Sequence, residues 1–431
     1  MDRNIFVLGI DEFNLQQLRA IRNADNYQFH SLLSFDEVKA HGTYPFQSIL
    51  DHARDRLEGF AGRIDAIVGY WDFPVTSIVP VLCRELGLPS PSVESVACCE
   101  HKYWSRLEQQ RLLPDMVPRF ASVDPFDADA AAKVELEFPF WLKPVKGTDS
   151  LLGFRIHDRA ELDDALSKIR EGIVHIAEAF DTFLAHVQLP KAMAETSGRY
   201  CIAEKLITGR QCTVSGYVYR GKARVYGIID SINYPNGMSF QRYQYPSRLP
   251  KAVKARLKEA SITLMEGIGY DQAAFNIEYF YDEGADTISL LEVNPRISQS
   301  HGHLYEQVDG RPNHQIMVEL ALGEEPCVPR RQGPFGCAAE FHLRKFEDAT
   351  VEQVPSDAQL REIERDNPGT FIDIAVEPGM QLSDMMEQDS YSYDIAHIFT
   401  AAHDQHELLE KYDRIVEALP LKLGNVEAAG S

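Results

Sequence analysis

Four residues with chemical capacity recur at fixed spacing in this chain: Glu278, Glu292, Asn294 and Arg296. Glu278 lies in an apolar and aromatic run, 274–281, whose alternation puts Asn276, Glu278 and Phe280 on one face. In a second run, 287–294, Leu290, Glu292 and Asn294 share a face. Folding the two runs about the turn at 282–286 brings Glu278 opposite Glu292 to within about one residue of register, a mismatch that a β-bulge absorbs. Facing carboxylates among apolar neighbours repel each other and are costly to desolvate, so such a hairpin calls for a cation. Two carboxylates and the carbonyl oxygen of Asn294 make an oxygen-only ligand set, which suits Mg2+ or Mn2+ held jointly with phosphate oxygens rather than zinc. Arg296, two residues further on the same side, reaches an anion held by that metal.

The elements that must position these residues follow from periodicity and punctuation. Strands over 5–10, 27–33 and 65–70 alternate with helices over 14–24, 46–60 and 75–86, the grammar of an open, mostly parallel sheet. A lone Gly9 lacks the further glycines of a dinucleotide fingerprint, so no nicotinamide site is expected. A helix opens at 100–104 and breaks at Pro114 and Pro118. A strand ending at Lys143-Pro144-Val145 leads through a turn-rich loop, 146–150, to a strand near 153–156, after which Asp158 and Glu161 suggest a capping box for a helix towards Arg170. Further strands are expected over 200–207, 213–219 and 223–231, the last two joined by the turn at 220–222, and a helix over 251–266 stops at Gly267. After Pro326 and Pro329 comes a last module with strands near 335–343 and 371–376 and a helix over 405–419, ending in a frayed tail at 427–431.

Composition bounds the function class. With 431 residues and 44% hydrophobic content the chain supports roughly two to four compact units. Its net charge of −22 opposes nucleic acid, which binds through Lys and Arg neutralising phosphates. Seven cysteines without CxxC spacing read as free thiols in a reducing compartment. The N-terminal apolar run is too short for a signal sequence or a membrane span, and none of the later ones approaches about 18 residues. The expectation is a soluble, cytoplasmic protein with neither nucleic acid nor membrane as a partner.

The Glu278, Glu292, Asn294 and Arg296 pattern resembles the ATP-grasp superfamily, in which a glutamate on one strand and a Glu-x-Asn-x-Arg run on the next hold magnesium and ATP phosphates. The likeness extends upstream in order. Lys102 resembles the family's phosphate-binding lysine opening a helix, and Lys143 the lysine ending a strand before the flexible phosphate loop. That loop would be Lys146 to Ser150, closing over the phosphates. Glu204, Lys205, Leu206 and Ile207 resemble the hinge strand that reads adenine, and Gln211 stands where many members use a glutamate for the ribose hydroxyls. The resemblance implies an α/β and α+β chain: an N-terminal pre-ATP-grasp open parallel sheet (1–99), a two-subdomain ATP-grasp core (100–198 and 199–329, the latter with the metal site), and a C-terminal α+β capping module (330–431).

It also implies an ATP-dependent carboxylate-amine ligase that forms an amide or peptide bond through an acyl phosphate, releasing ADP and phosphate, as in amino-acid ligases. ATP and Mg2+ (or Mn2+) are the implied cofactors, Arg296 and Lys143 the catalytic residues, and small-molecule carboxylates and amines the partners, with a homodimer as the candidate assembly. The segment after the arginine would line the acceptor pocket through Arg296, Ser298, Ser300 and His301, with His301 or His303 as a base. Biotin carboxylase-like members carry a glutamate shortly after the arginine that deprotonates bicarbonate. This chain has Ile297-Ser298-Gln299-Ser300 there, which ranks amine ligation above bicarbonate activation. A non-catalytic nucleotide-binding module is the remaining alternative.

Overall fold

In the computed structural model of the protein, residues 3–39, 45–147, 152–237, 239–385, 388 and 391–425 are described. The chain divides into two compact units, Met1–Gly227 with Pro250–Gln299 and His314–Cys327, and Ile228–Leu249 with Ser300–Asn313 and Val328–Ser431.

The first unit opens with the expected parallel sheet, in the order Tyr27–Ser34, Arg3–Ile10, Ala66–Val68. Ile5, Val7 and Leu8 are buried there. The first helix, Glu12–Arg19, both starts and ends earlier than its periodicity suggested; Asp11 accepts the Asn14 N–H at 2.9 Å and fixes the start. The helix Val75–Leu86 matches its expected bounds despite Pro80 in its interior, and Gly87 closes it at φ +67°.

A four-stranded antiparallel sheet follows, ordered Phe120–Val123, Cys201–Lys205, Phe140–Pro144, Phe154–Ile156. The helices Arg159–Gly172 and Val174–Leu184 close a core containing Phe140, Leu142, Ile156 and Ile169. The capping box expected at Asp158 is only half formed. Asp158 accepts the Glu161 N–H at 3.0 Å, but Glu161 takes the backbone N–H of His157 at 2.7 Å. The His157 ring lies 2.9 Å from the same carboxylate oxygen and draws it one residue upstream.

The third part of this unit is the antiparallel set Thr287–Asn294, Ala273–Asp282, Arg210–Tyr219, with the helix Lys251–Gly267. A Cβ on Gly216 would stand 2.3 Å from the Phe275 ring, so this strand pair requires glycine there. The turn expected at 220–222 forms with Arg220 and Gly221 at φ +51° and +71°.

In the second unit the last residues of Lys222–Asn233 pair with Phe240–Tyr245, which pairs with Cys337–Lys345, then Tyr393–Ala402, then Phe371–Ile374, all antiparallel. The helix Gln405–Ala418 packs its Leu408 and Ile415 into a core with Phe341 and Ile398, and Phe341 stacks on Tyr412 at 3.9 Å. The small pair Ala349–Gln353 with Lys422–Asn425 carried no sequence signal. Among the described residues no helix is long and apolar enough to cross a membrane. The cysteines are free thiols, of which Cys98 and Cys99 are buried. The tail at 427–431 lies outside the described residues.

Candidate active site

The hairpin forms with Glu278 paired to Glu292 and Asn276 to Asn294, and the ladder slips between Glu278 and Tyr279, whose partner is Leu290. Leu291 is therefore the extra residue of a β-bulge. The carbonyls of Leu290 and Leu291 accept from the two terminal nitrogens of Arg106, at 3.0 and 2.8 Å.

Arg106 and Lys102 lie one turn apart on the helix Lys102–Leu112. His101 caps that helix, its Nδ1 accepting the Trp104 N–H at 3.3 Å. Burial pushes the His101 imidazole down to about 4, so it stays a neutral acceptor. The Lys102 N–H donates to Val145 at 2.8 Å, which ties the start of this helix to the end of the strand Phe140–Pro144. From this anchor Lys102 Nζ reaches Glu292 Oε1 at 2.9 Å and the Gly147 carbonyl at 3.0 Å.

Two further ion clusters flank the hairpin. Glu204 is clasped between Arg106 and Lys143, the latter at 2.7 Å. Burial would raise its pKa, but the two cations outweigh burial and hold it down at about 2. Lys146 is bonded to Glu100 and lies 3.5 Å from Asp72, which also takes Arg296 Nη2 at 3.0 Å. Burial opposes the charge of Asp72, yet Lys146 and Arg296 hold it well below the usual carboxylate range. Thr76 completes the cluster, donating to Glu100 at 2.7 Å.

Glu278 differs from all these acids because no side-chain cation is bonded to it among the described residues. It accepts from Gln211 Nε2 at 2.8 Å and Asn294 Nδ2 at 3.3 Å. Burial, and after it the neighbouring Glu292 charge, push it up to about 7. Glu292 is lowered instead, since Lys102 and Lys143 outweigh its burial. Its side chain keeps 36% of its surface exposed, so solvent screens part of that attraction.

These residues fit a hard divalent cation. The acceptors are oxygens and one carboxylate lacks a counter-charge, while Arg296 Nε, a buried donor without a hydrogen-bond partner among the described residues, suits an anion held with that cation. Asn294 is turned so that its amide nitrogen faces Glu278, whereas a metal ligand there would present the carbonyl oxygen. A buried carboxylate without a cation is best served by an N–H donor, which accounts for that orientation.

The structure brings Lys102, Lys143, Lys146, Glu204, Gln211, Glu278, Glu292, Asn294 and Arg296 together in the first unit, but several in company that the sequence did not suggest. Lys146, expected in a lid loop, is only 3% exposed and held by Glu100 and Asp72. Gln211, expected at a ribose, donates to Glu278. Lys205 is exposed, while Leu206 and Ile207 are half-buried beyond the end of Cys201–Lys205. Ser298 is half-buried in the first unit. Ser300, His301 and His303 belong to the second, where His301 is 2% exposed with its ring 5.0 Å from that of Tyr243. Burial pushes His303 down to about 4, and its ring lies 3.2 Å from the Gly369 carbonyl. Ser150 lies outside the described residues.

The sequence reading missed Asp72, Glu100, Asn276 as a partner, and Arg106. For Arg106 a signal existed, since it stands four residues after Lys102 on one helix face. Asn276 donates to the Arg296 carbonyl at 3.0 Å and accepts from Asn294 at 3.1 Å. Asp72 and Glu100 are brought to Lys146 by the fold alone.

Comparison with known proteins bears on the fold. Residues 136–302 match the family model of the ATP-grasp domain. Urea amidolyase of Saccharomyces cerevisiae is 21% identical over 95% of this chain, which spans about a fifth (21%) of that protein's length. The structure is similar to that of an L-amino acid ligase from Bacillus licheniformis, with a TM-score of 0.71 at 16% identity, over 98% of this chain and 99% of that one. It is also similar to the biotin carboxylase domain dimer of 2-oxoglutarate carboxylase from Hydrogenobacter thermophilus, solved with MgADP, ADP and bicarbonate. The TM-score there is 0.64 at 16% identity, over 99% of this chain and 92% of that one. This chain has the ATP-grasp fold, with residues 136–302 matching the ATP-grasp domain model.

Proposed function

We propose that the protein is an ATP-dependent carboxylate-amine ligase working through an acyl phosphate, with Glu278, Glu292 and Asn294 as Mg2+ ligands. The observation that carries this reading is the facing Glu278 and Glu292 pair with Lys102 already bonded to Glu292. Magnesium at this position supplies charge neutralisation and orientation of phosphate oxygens. Lys102, Lys143 and Arg296 bind and neutralise the transferring phosphoryl group, as positively charged clamps do in phosphoryl transfer. To do so Lys102 exchanges Glu292 for phosphate, and Lys143 exchanges Glu204. Lys146 cannot leave Glu100 without stranding a buried carboxylate, so its role is to position Arg296 through Asp72. Lys205, Leu206 and Ile207 present backbone and an apolar surface for the adenine, with Ser150 on the phosphate loop. Ser298 serves the acceptor side of the first unit.

The segments 1–99, 100–198, 199–329 and 330–431 are the proposed functional divisions, the first contributing Asp72. A homodimer is the proposed assembly, on the example of the carboxylase domain dimer with the same fold. The decisive experiment offers ATP with pooled amino acids and small carboxylates, follows phosphate release, and identifies products by mass spectrometry. An amide product supports the reading. Measurable ATP binding with no release in any pool overturns it.

One observation favours a second reading. The same fold occurs in a biotin carboxylase domain solved with bicarbonate, whereas Asp72, the carboxylate 3.0 Å from Arg296, is held too weak a base by Lys146 and Arg296 to deprotonate it. Bicarbonate activation, giving an N-carboxylated product, is therefore the alternative. Phosphate release that vanishes on removing bicarbonate and returns on adding it would select it.

A further inference from the structure

The second unit contains a cluster of groups that nothing above uses. Glu340, His342 and Arg344 alternate onto one face of the strand Cys337–Lys345. His397 is the cross-strand partner of His342, and the ladder slips between Leu343 and Arg344, so that Arg344 pairs with Asp394. The extra residue is Ile395, which packs into an apolar cluster with Val351 and Leu382. The bulge thus removes an isoleucine from the polar face and delivers Asp394 to it.

The donors converge. His397 Nδ1 lies 3.4 Å and His342 Nε2 3.9 Å from Glu340 Oε1, and one ligand atom from each of the three residues lies within 4.8 Å of the others. Asp394 Oδ2 is 2.6 Å from His342 Nδ1 and 3.0 Å from Arg344 Nη2. The Glu340 side chain is 4% exposed and that of His342 12%. Even so, Glu340 Oε2 and His342 Nε2 are buried without a hydrogen-bond partner among the described residues. Buried polar atoms rarely go unmatched, and two such atoms in one cluster point to an absent partner.

We propose that Glu340, His342 and His397 form a site for a divalent transition metal of the zinc class, with Asp394 orienting His342 from outside. With metal–ligand bonds of about 2.0–2.1 Å, donors at the corners of a tetrahedron stand roughly 3.3 Å apart. The measured separations approach that spacing before any metal draws them in. Asp394 on His342 Nδ1 selects the tautomer whose Nε2 lone pair is free, the arrangement that carboxylates impose on metal-binding histidines. Two imidazoles with one carboxylate favour Zn2+ over Mg2+, which prefers oxygen. Three protein ligands leave a fourth position for water or an anionic group of a ligand.

The test uses the full chain, stripped with chelator and titrated with Zn2+ and Co2+ against a chromophoric competitor. One equivalent is expected to bind, with the visible absorption of four-coordinate Co2+. His342→Gln and His397→Gln should each weaken binding at least about 100-fold, and Asp394→Asn roughly 10- to 100-fold. Circular dichroism and apo melting temperature report whether each variant folds. His397, with 29% of its side chain exposed, is the safer site to change. No specific binding to the wild-type chain, or an unchanged Co2+ spectrum in folded His397→Gln, overturns the proposal. Neither outcome bears on Glu278 and Glu292, because Mg-ATP binding is measured separately.

Discussion

The Glu278/Glu292 hairpin and the Glu340/His342/His397 cluster solve the same problem with different chemistry. Each sets acids across an antiparallel pair, and each contains a bulge that re-aims one strand. In the hairpin the compensating charges come from distant elements: Lys102 on its helix and Lys143 at a strand end. Glu278 is left outside that supply and is pushed up to about 7, by burial first and by Glu292 next. In the cluster the compensation is built into the strands, as imidazoles beside the acids. Burial would lower His397, yet the Glu340 hydrogen bond and the Asp394 charge raise it to about 9. A site that offers two imidazole nitrogens beside one carboxylate suits a softer metal, whereas one whose lysines can exchange a carboxylate for a phosphate suits a cation arriving with its nucleotide.

The largest effect expected from breaking that comparison is on turnover. Glu292→Gln removes the negative charge that pairs with Lys102 and faces Glu278, and should abolish product formation, with a loss of about 10²–10³-fold or more. Mg-ATP binding, followed calorimetrically, should weaken as well, while Zn2+ stoichiometry stays unchanged. Near-normal activity would remove the hairpin from the mechanism.

Lys146→Ala tests whether the hairpin region depends on borrowed cations for its stability. It leaves Glu100, 4% exposed, and Asp72 without their shared partner. Breaking one side of a buried ion pair costs about 3–5 kcal/mol, so the urea midpoint should fall strongly. A change below about 1 kcal/mol would show that Lys146 is dispensable to the fold and free to serve phosphate.

A pH effect of about the same size or smaller follows from Glu204. Its folded value, about 2, lies below the ordinary glutamate value because Arg106 and Lys143 outweigh burial. A depressed carboxylate stabilises the fold above the unfolded value and loses that contribution as pH falls through the folded one. The window is therefore roughly pH 4.5 down to 2, worth on the order of 3 kcal/mol. Urea unfolding at stepped pH should show wild type converging on Glu204→Gln across that window. Parallel curves would mean that the clasp adds nothing to stability.

The hairpin was legible in the sequence because alternation and turn length fix register, and Glu292 lies one residue further from the turn than Glu278 does, which signals a bulge. The parallel sheet was legible from apolar runs alternating with helical periods. Asp72 and Glu100 were not, since nothing local distinguishes a carboxylate that will meet Lys146 from a solvated one. The cluster in the second unit escaped for the same reason. Glu340 and His342 are two apart on a strand, but His397 is more than fifty residues away, and its register with His342 depends on a pairing between segments far apart in the chain. Lys146 was misread because loop composition followed it, while the fold buries it at the end of a strand.

The smallest expected effect separates the two regions most finely. Gln211 donates to Glu278 at 2.8 Å, an N–H serving a carboxylate that lacks a cation. If that bond compensates for the missing metal, Gln211→Ala should destabilise the metal-free chain by about 1–3 kcal/mol, the cost of an unsatisfied buried acceptor. Saturating Mg-ATP should then restore most of the lost melting temperature, because the cation takes over the compensation. A ribose role predicts the reverse: an unchanged apo melting temperature and a raised KM for ATP. The corresponding change in the second unit, Asp394→Asn, should leave the response to Mg-ATP untouched and alter only that to Zn2+, since Asp394 orients an imidazole rather than standing in for a metal.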